Sequence, residues 1–193
     1  MYKLCKTEQS TARQHELEHG LLTAMSTRRF EDISVSDLCD QLGVPRKSFY
    51  RYFSSKDGAL QALIDHTLME YECSPLLTAP GEPRTQQKEM ERFFLFWLQK
   101  RLFLDAMTRN NLTGMLINRS VTYALSGAPL PRPYLLNEPK EVQDQVVTFA
   151  VCGLMSLMLN WYQGGFVHSP RHMARLAVRL ISQPLFPDVN TPV

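Results

Sequence analysis

The sequence is poor in cysteine, and its four cysteines lie too far apart for a redox or metal-binding motif. They are Cys5, Cys39, Cys73 and Cys152. This spread excludes a site built from closely spaced thiolates and predicts reduced thiols that serve as small apolar side chains. Reduced thiols are typical of a reducing compartment, so we expect a cytoplasmic protein.

A targeting segment and a long hydrophobic run are missing as well. The first ten residues, MYKLCKTEQS, contain neither an apolar core region nor a small-residue cleavage site. The longest apolar run, from Val146 to Tyr162, is shorter than the about 20 residues that a spanning helix needs. Thr148 and Asn160 also interrupt it. We therefore expect no signal peptide and no membrane span.

An excess of charge is absent too, because the 193-residue chain has a formal net charge of only +2. Affinity for nucleic acid therefore cannot come from overall basicity, and any basic surface must be local. Hydrophobic residues make up 44% of the chain and charged residues 21%, which is enough apolar matter for a globular core.

Catalytic patterns are not found either. The sequence has no glycine-rich phosphate loop, no Ser-His-Asp or Cys-His arrangement and no carboxylate pair in an apolar setting. His15 and His19 stand four residues apart, as in a two-histidine metal site, but no third ligand is evident, although Glu16 and Glu18 are adjacent. A solvated polar face is the favoured interpretation. We predict no enzyme, no metal and no cofactor.

Helical periodicity dominates what remains, and no segment keeps the alternation of a strand. We predict an all-α protein of about nine helices. The first begins at Thr11, which stands in capping-box spacing with Gln14. Residues 85–107 predict one long aromatic helix, residues 140–163 an apolar one, and Ser169 caps the last helix.

Two proline-rich segments divide the chain. The first, at 74–84, predicts a boundary between an N-terminal unit, residues 1–73, and a C-terminal domain, residues 74–193. The second, at 128–139, predicts a loop after a helix that Gly127 ends.

The stretch DLCDQLGVPRKSFYRYFSSK combines two short predicted helices with a basic, aromatic surface. Ser34 caps the first helix, Gly43 ends it, and Pro45 opens the second. On the second helix Arg46, Lys47, Tyr50 and Arg51 fall within about 140° of one another, whereas Phe49 and Phe53 turn inward. No acidic residue lies between Gly43 and Lys56. The pattern favours a helix-turn-helix that enters the major groove of DNA over a plain helical corner with a solvated basic face.

The segment ISVSDLCDQLGVPRKSFYRYFSSKDGALQALID resembles the DNA-binding region of the tetracycline-repressor (TetR) family, and the resemblance covers about the first seventy residues. It departs from the family pattern where Arg29 replaces a glycine and where Pro45 replaces a serine or threonine cap. The resemblance places the motif at about 34–53. It implies a DNA-binding domain, a C-terminal effector-binding and dimerisation domain, and binding to double-stranded DNA.

The resemblance also assigns roles to single residues. It implies base contacts for Arg46, Lys47 and Tyr50 and phosphate contacts for Ser48, Tyr52 and Lys56. It implies further phosphate contacts from Ser34 and Ser36, at the start of the first helix of the motif. Arg51 points outward by helical geometry.

For the C-terminal domain the resemblance implies a homodimer through about 140–163 and 170–182. A small-residue row, Ala150, Gly153 and Ser156, would allow close helix approach there; the alternative is a buried helix in a monomeric core. It also implies a cavity for a small apolar or aromatic effector. Six residues are candidates for its lining, although each could instead belong to the core: Phe93, Phe96, Trp97, Met107, Met115 and Tyr123.

The resulting hypothesis is a ligand-responsive repressor that binds a pseudo-palindromic operator as a dimer. The alternative hypothesis is a TetR-shaped interaction protein whose C-terminal domain binds a partner protein rather than a small effector.

Overall fold

The computed structural model describes residues 1–74, 85–126 and 137–183. Within these residues the chain forms nine α-helices, one short 3-10 turn and no strand, so the all-α prediction is confirmed. The helices are α1 (Glu8–Thr27), α2 (Val35–Leu42), α3 (Arg46–Tyr52), α4 (Lys56–Cys73), α5 (Gln86–Gln99), α6 (Arg101–Arg109), α7 (Thr113–Ser126), α8 (Lys140–Gln163) and α9 (Pro170–Ser182). The 3-10 turn is Phe30–Asp32.

The first helix begins earlier than the sequence predicted. Thr7, not Thr11, is the N-cap: its backbone is extended, and its side chain accepts a hydrogen bond from the Ser10 amide at 3.3 Å. The Thr7 amide in turn donates to the Ser10 hydroxyl oxygen, and the two hydrogen bonds form a capping box. Thr11 lies inside the helix and donates its hydroxyl to the Thr7 carbonyl.

The predicted signals around α2 and α3 are confirmed. Ser34 caps α2 by accepting from the Asp37 amide at 3.0 Å. Gly43 ends α2 with φ 64°, a left-handed conformation that glycine adopts without steric cost. Pro45 precedes α3 and provides no side-chain cap, as its chemistry requires. Ser55 then caps α4.

The single long helix predicted over 85–107 is wrong. The helix ends at Gln99 and a new one begins at Arg101, because Lys100 leaves helical geometry with φ −95° and ψ 27°. The Lys100 ammonium donates to Glu70 of α4 at 2.6 Å. The break lets α5 pack against α9 while α6 turns toward α1. A one-residue interruption does not disturb the apolar periodicity, so the pattern could not reveal it.

The helix α8 has the predicted bounds but is not enclosed by its own chain. It packs mainly against α7, and it buries only four residues, Met155, Met158, Leu159 and Trp161. Phe149 remains 73% exposed. The alternative of a buried helix in a monomeric core is therefore not supported among the described residues.

By length and composition α8 could cross a membrane, since it has 24 residues and a mean hydropathy of 1.5 over its most apolar window. The apolar run from Val146 to Tyr162 is shorter than a spanning helix, but the helix that carries it is long enough. The expectation that length excludes a membrane span is therefore wrong. An apolar helix of a globular assembly passes the same test, so the finding alone does not place the protein in a bilayer.

Three predicted features lie outside the described residues: the helix stop at Gly127, nearly all of the proline-rich boundary at 74–84, and most of the proline-rich loop at 128–139.

Candidate nucleic-acid interface

The helix α3 divides its side chains as the sequence predicted. Arg46, Lys47, Tyr50 and Arg51 are exposed, and Tyr50 keeps 47% of its surface open. Phe49 and Phe53 are fully buried. The helix has only seven residues, so its stability comes from this apolar root rather than from its own hydrogen bonds.

The buried rings also constrain the exposed one. The Phe49 ring lies 5.1 Å from Phe53 and 5.5 Å, edge to face, from Tyr50. Such aromatic pairs contribute about 0.5–1.5 kcal/mol beyond burial. Packing against Phe49 therefore restrains the Tyr50 ring. Tyr50 remains exposed on the same face as the three cations of α3.

At the start of α2, an ion pair with Arg28 neutralises the carboxylate of Asp37. Arg28 donates to Asp37 at 3.1 Å and to the Asp32 carbonyl at 2.7 Å. The hydrogen bond from Arg28, followed by those from Ser34, lowers the pKa of Asp37 below its ordinary value. The pair offsets the negative charge that would otherwise oppose an anion at this helix end. Ser34 is exposed, but its hydroxyl oxygen accepts the capping hydrogen bond from the Asp37 amide. Ser36 is half-buried.

Lys56 and Tyr52 are less free than the other predicted DNA-contacting residues. The Lys56 ammonium donates to the carbonyls of Phe30 and Glu31, the latter at 3.2 Å, and lies 4.4 Å from the centre of the Phe30 ring. Two of its three N–H groups are thus used within the chain. Tyr52 is 7% exposed, and its backbone carbonyl accepts from Lys3.

Sequence reasoning missed the N-terminal arm, residues 1–7. The arm runs beside the end of α3. The Lys3 amide donates to the Tyr52 carbonyl at 2.9 Å, and the Ser54 amide donates to the Met1 carbonyl at 3.1 Å. Tyr2 and Phe53 form an antiparallel bridge. The two lysines near the terminus were visible in the sequence, but an extended arm has no periodicity that would dock it on a helix.

The arm, the start of α1 and α3 border an open cleft of about 610 Å³. Its charged lining is entirely basic within the described chain, and Ser48 and Tyr52 also reach it. The basic residues are Lys3, Lys6, Arg13 and Arg51. Phosphate oxygens are bound by such cations and hydroxyls, so the cleft extends the basic surface of α3 toward α1.

The six predicted effector residues do not share one environment. Phe93, Phe96, Trp97 and Met107 are buried, whereas Met115 and Tyr123 are half-buried. The Tyr123 hydroxyl donates to Glu72 at 2.7 Å. Four of the six therefore have the burial of core residues, and the structure does not bring all six around one cavity within the described residues.

The buried rings form a continuous cluster. Trp97 lies 5.4 Å from Phe96 and 6.2 Å from Phe103, and Phe96 lies 5.3 Å from Tyr71. Burial raises the pKa of Tyr71 to about 12. The indole N–H of Trp97 is buried and has no hydrogen-bond partner among the described residues, which is a costly state for a polar atom.

The family comparison agrees with the N-terminal geometry. Residues 22–63 match the family described as bacterial regulatory proteins, tetR family. Over 74 residues the chain is 34% identical to the HTH-type transcriptional regulator EthR of Mycolicibacterium smegmatis (strain ATCC 700084 / mc(2)155). That match covers 36% of this chain and 34% of EthR, so it spans about a third of the relative's length.

Solved structures resemble the fold over most of the chain. The fatty acid degradation regulator FadR from Bacillus halodurans has a TM-score of 0.56 at 13% identity, covering 94% of this chain and 98% of that one. The dihydroxyacetone kinase operon activator DhaS gives 0.57 at 14%, with 89% and 94% covered. A tetR-family transcriptional regulator from Streptomyces coelicolor gives 0.53 at 18%, with 90% and 79% covered. At these identities the likeness establishes the fold alone.

Proposed function

We propose that this chain, whose residues 22–63 match the TetR family, regulates transcription by binding an operator as a homodimer. The observation that carries the proposal is the outer face of α3, where Arg46, Lys47, Tyr50 and Arg51 stand exposed on a buried aromatic root. A short helix so anchored, with cations and a hydroxyl outward, suits the major groove.

The proposed contacts follow from exposure. Arg46, Lys47 and Tyr50 reach base edges, where an arginine or lysine can bind the acceptors of guanine. Arg51 and Ser48 meet phosphates, together with the cations of the N-terminal arm that line the same cleft. Lys56 acts mainly by holding the 3-10 turn against α4, because its ammonium is already engaged with Phe30 and Glu31.

The homodimer is proposed to form through α8 and α9. Apolar side chains remain exposed on both helices: Phe149, Leu180 and Ile181. A Cβ placed on Gly153 would meet no atom of the described chain within 4 Å, so the small-residue row is open to a second copy. A two-fold axis there would repeat the same surface on both partners, and two α3 helices would then meet two half-sites.

We propose repression as the sign of regulation, with release of the operator when an effector binds the C-terminal domain. The Trp97 N–H, which has no partner among the described residues, supports the effector part of this proposal, since a buried donor without a partner gains free energy from a ligand acceptor. The effector would be a small apolar or aromatic compound with one hydrogen-bond acceptor.

A second candidate function has its own observation. The Trp97 ring packs against the rings of Phe93 and Phe96, at centroid distances of 6.3 and 5.4 Å, as in a protein core. If no effector enters, the C-terminal domain instead binds a partner protein, and DNA binding is secondary.

The test begins with selection of duplexes from a random pool by the full-length protein. The proposal expects a pseudo-palindromic site whose half-sites are separated by whole helical turns, about 10 base pairs each, and bound by two chains. Selection of no sequence above background, or binding of one chain to one half-site, would contradict it. A thermal-shift screen of apolar compounds, followed by operator release, separates an effector from a partner protein.

A further inference from the structure

Three potential metal ligands converge between α1 and α4. His15 and Glu18 lie on α1, one helical turn apart, and His66 comes from α4. One ligand atom from each of the three lies within 4.8 Å of the others. The His15 and His66 ring centres are 4.9 Å apart.

The environment of Glu18 requires a positive partner. Its side chain is only 4% exposed, and both carboxylate oxygens lie near the same atom, Nδ1 of His66, at 2.9 and 3.0 Å. A buried carboxylate is costly unless charge or strong hydrogen bonds compensate it. One imidazole is the sole hydrogen-bonding partner that the described residues provide for this carboxylate, whereas a divalent cation would compensate both oxygens.

We propose that His15, Glu18 and His66 bind a divalent transition-metal ion, of which Zn²⁺ is the best match. Two imidazole nitrogens and one carboxylate oxygen, with a water in the fourth position, form a common tetrahedral set. At bond lengths of about 2.0–2.1 Å the ligand atoms of such a set lie roughly 3.3 Å apart. To bind one ion, the three ligand atoms must approach one another by about 1.5 Å at most. A rotamer change of the exposed His15 can supply this movement.

In the sequence a different pair, His15 and His19, had metal-site spacing, and we had interpreted it as a solvated polar face. His19 is not part of the cluster. Glu18 takes its place, because residues three apart also share a helix face. The third ligand lies 48 residues beyond Glu18 in the chain, and only the packing of α1 on α4 brings it there.

Metal binding would clamp α1 to α4. Asp65 precedes His66, and its carboxylate is bound by Arg119 of α7. The site therefore stands beside the contact that joins the N-terminal helices to the C-terminal half. The proposal is independent of DNA binding and does not rest on the function proposed above.

The test uses tag-free, full-length protein stripped of metal with a chelator. Titration with Zn²⁺, followed by calorimetry, should give one ion per chain and a higher melting temperature. Titration with Co²⁺ should give the visible absorption of a four-coordinate ion without a sulfur-to-cobalt band. A sulfur-to-cobalt band would place the ion at a cysteine and overturn the proposal, as would the lack of saturable binding.

Matched variants locate the site. His15→Ala should weaken Zn²⁺ binding at least tenfold and abolish the thermal shift, and it should fold normally because His15 is exposed. His19→Ala, which removes an exposed histidine on the same helix, should leave both unchanged. Equal affinity of His15→Ala and the parent, or an equal loss in His19→Ala, would refute the assignment. His66→Gln, checked for folding by circular dichroism, should lose binding as well.

Discussion

Arg119 of α7 binds Asp65 of α4 through two N–H groups, with its Nε 2.6 Å from Oδ1 and a terminal nitrogen bonded to Oδ2. The Tyr2 hydroxyl donates to the same carboxylate at 2.8 Å. The N-terminal arm, α4 and α7 thus meet at one side chain. A second contact joins the two halves where the Phe30 amide donates to Asn110 at 2.5 Å. The N-terminal arm, the 3-10 turn and α4 are therefore fixed to the C-terminal half through polar contacts.

The first prediction concerns this pair. Arg119→Leu should destabilise the fold by about 1–3 kcal/mol, since it leaves a largely buried carboxylate with fewer donors. The urea midpoint should fall without a change in slope. Arg13→Leu is the matched control, because the Arg13–Glu16 pair is half exposed and such pairs contribute little. Equal stability losses in the two variants would show that the Asp65 contact is not special.

The second prediction concerns base recognition. Arg46→Ala and Tyr50→Ala should each lower affinity for the selected operator by about 1–3 kcal/mol and relax the preference at one base position. Arg109→Ala, which removes an exposed cation at the end of α6, should bind like the parent. Mobility-shift titrations measure the affinities. Parent-like affinity in Arg46→Ala and Tyr50→Ala, with folding intact, would refute the assignment of α3.

The third prediction concerns the N-terminal arm. Replacing both Lys3 and Lys6 by glutamine should weaken binding to operator and random DNA alike. The plot of log affinity against log salt should become shallower by about 0.9 for each phosphate that the protein no longer neutralises. Fluorescence anisotropy at several salt concentrations measures this slope. An unchanged slope would mean that the basic cleft does not meet the DNA backbone.

The fourth prediction concerns assembly. Gly153→Leu should weaken the dimer while the chain stays folded, because a Cβ at this position has open space among the described residues, whereas a leucine would overpack a second copy. Gly114→Leu is the matched control, since a Cβ there also meets open space, on α7. Light scattering at micromolar concentration gives the mass. A parent protein that is monomeric, free and on DNA, would remove the two-half-site proposal.

The fifth prediction concerns pH. Arg28 holds the pKa of Asp37 below its ordinary value of 3.8, so the folded state favours the charged carboxylate. The resulting stability is present above that value and is lost as pH falls through the lowered pKa of the folded state. Asp37→Asn should therefore be less stable than the parent at neutral pH, and the difference should vanish in acid. Thermal unfolding at several pH values tests this; a stability difference that stays constant from neutral pH into strong acid would contradict the assignment.

Local signals in the sequence determined much of the N-terminal half. The caps at Ser34 and Ser55, the left-handed Gly43 and the inward Phe49 were all predictable, because each depends on residues within about one helical turn. The bounds of α8 followed from composition for the same reason. The division of the chain at 73 stays a prediction, although α4 ends there.

Only the tertiary structure decided which of these elements meet. The ammonium of Lys56 is used by Phe30, 26 residues away, and Asn110 binds Phe30 from 80 residues away. The break at Lys100 and the meeting of Glu18 with His66 likewise depend on contacts with another helix. Periodicity and capping describe a residue's nearest neighbours in the chain, whereas these features depend on how helices pack. The sequence therefore predicted α3 and its exposed basic face, whereas packing decided that Lys56 of α4, which was expected to contact DNA, is already engaged within the protein.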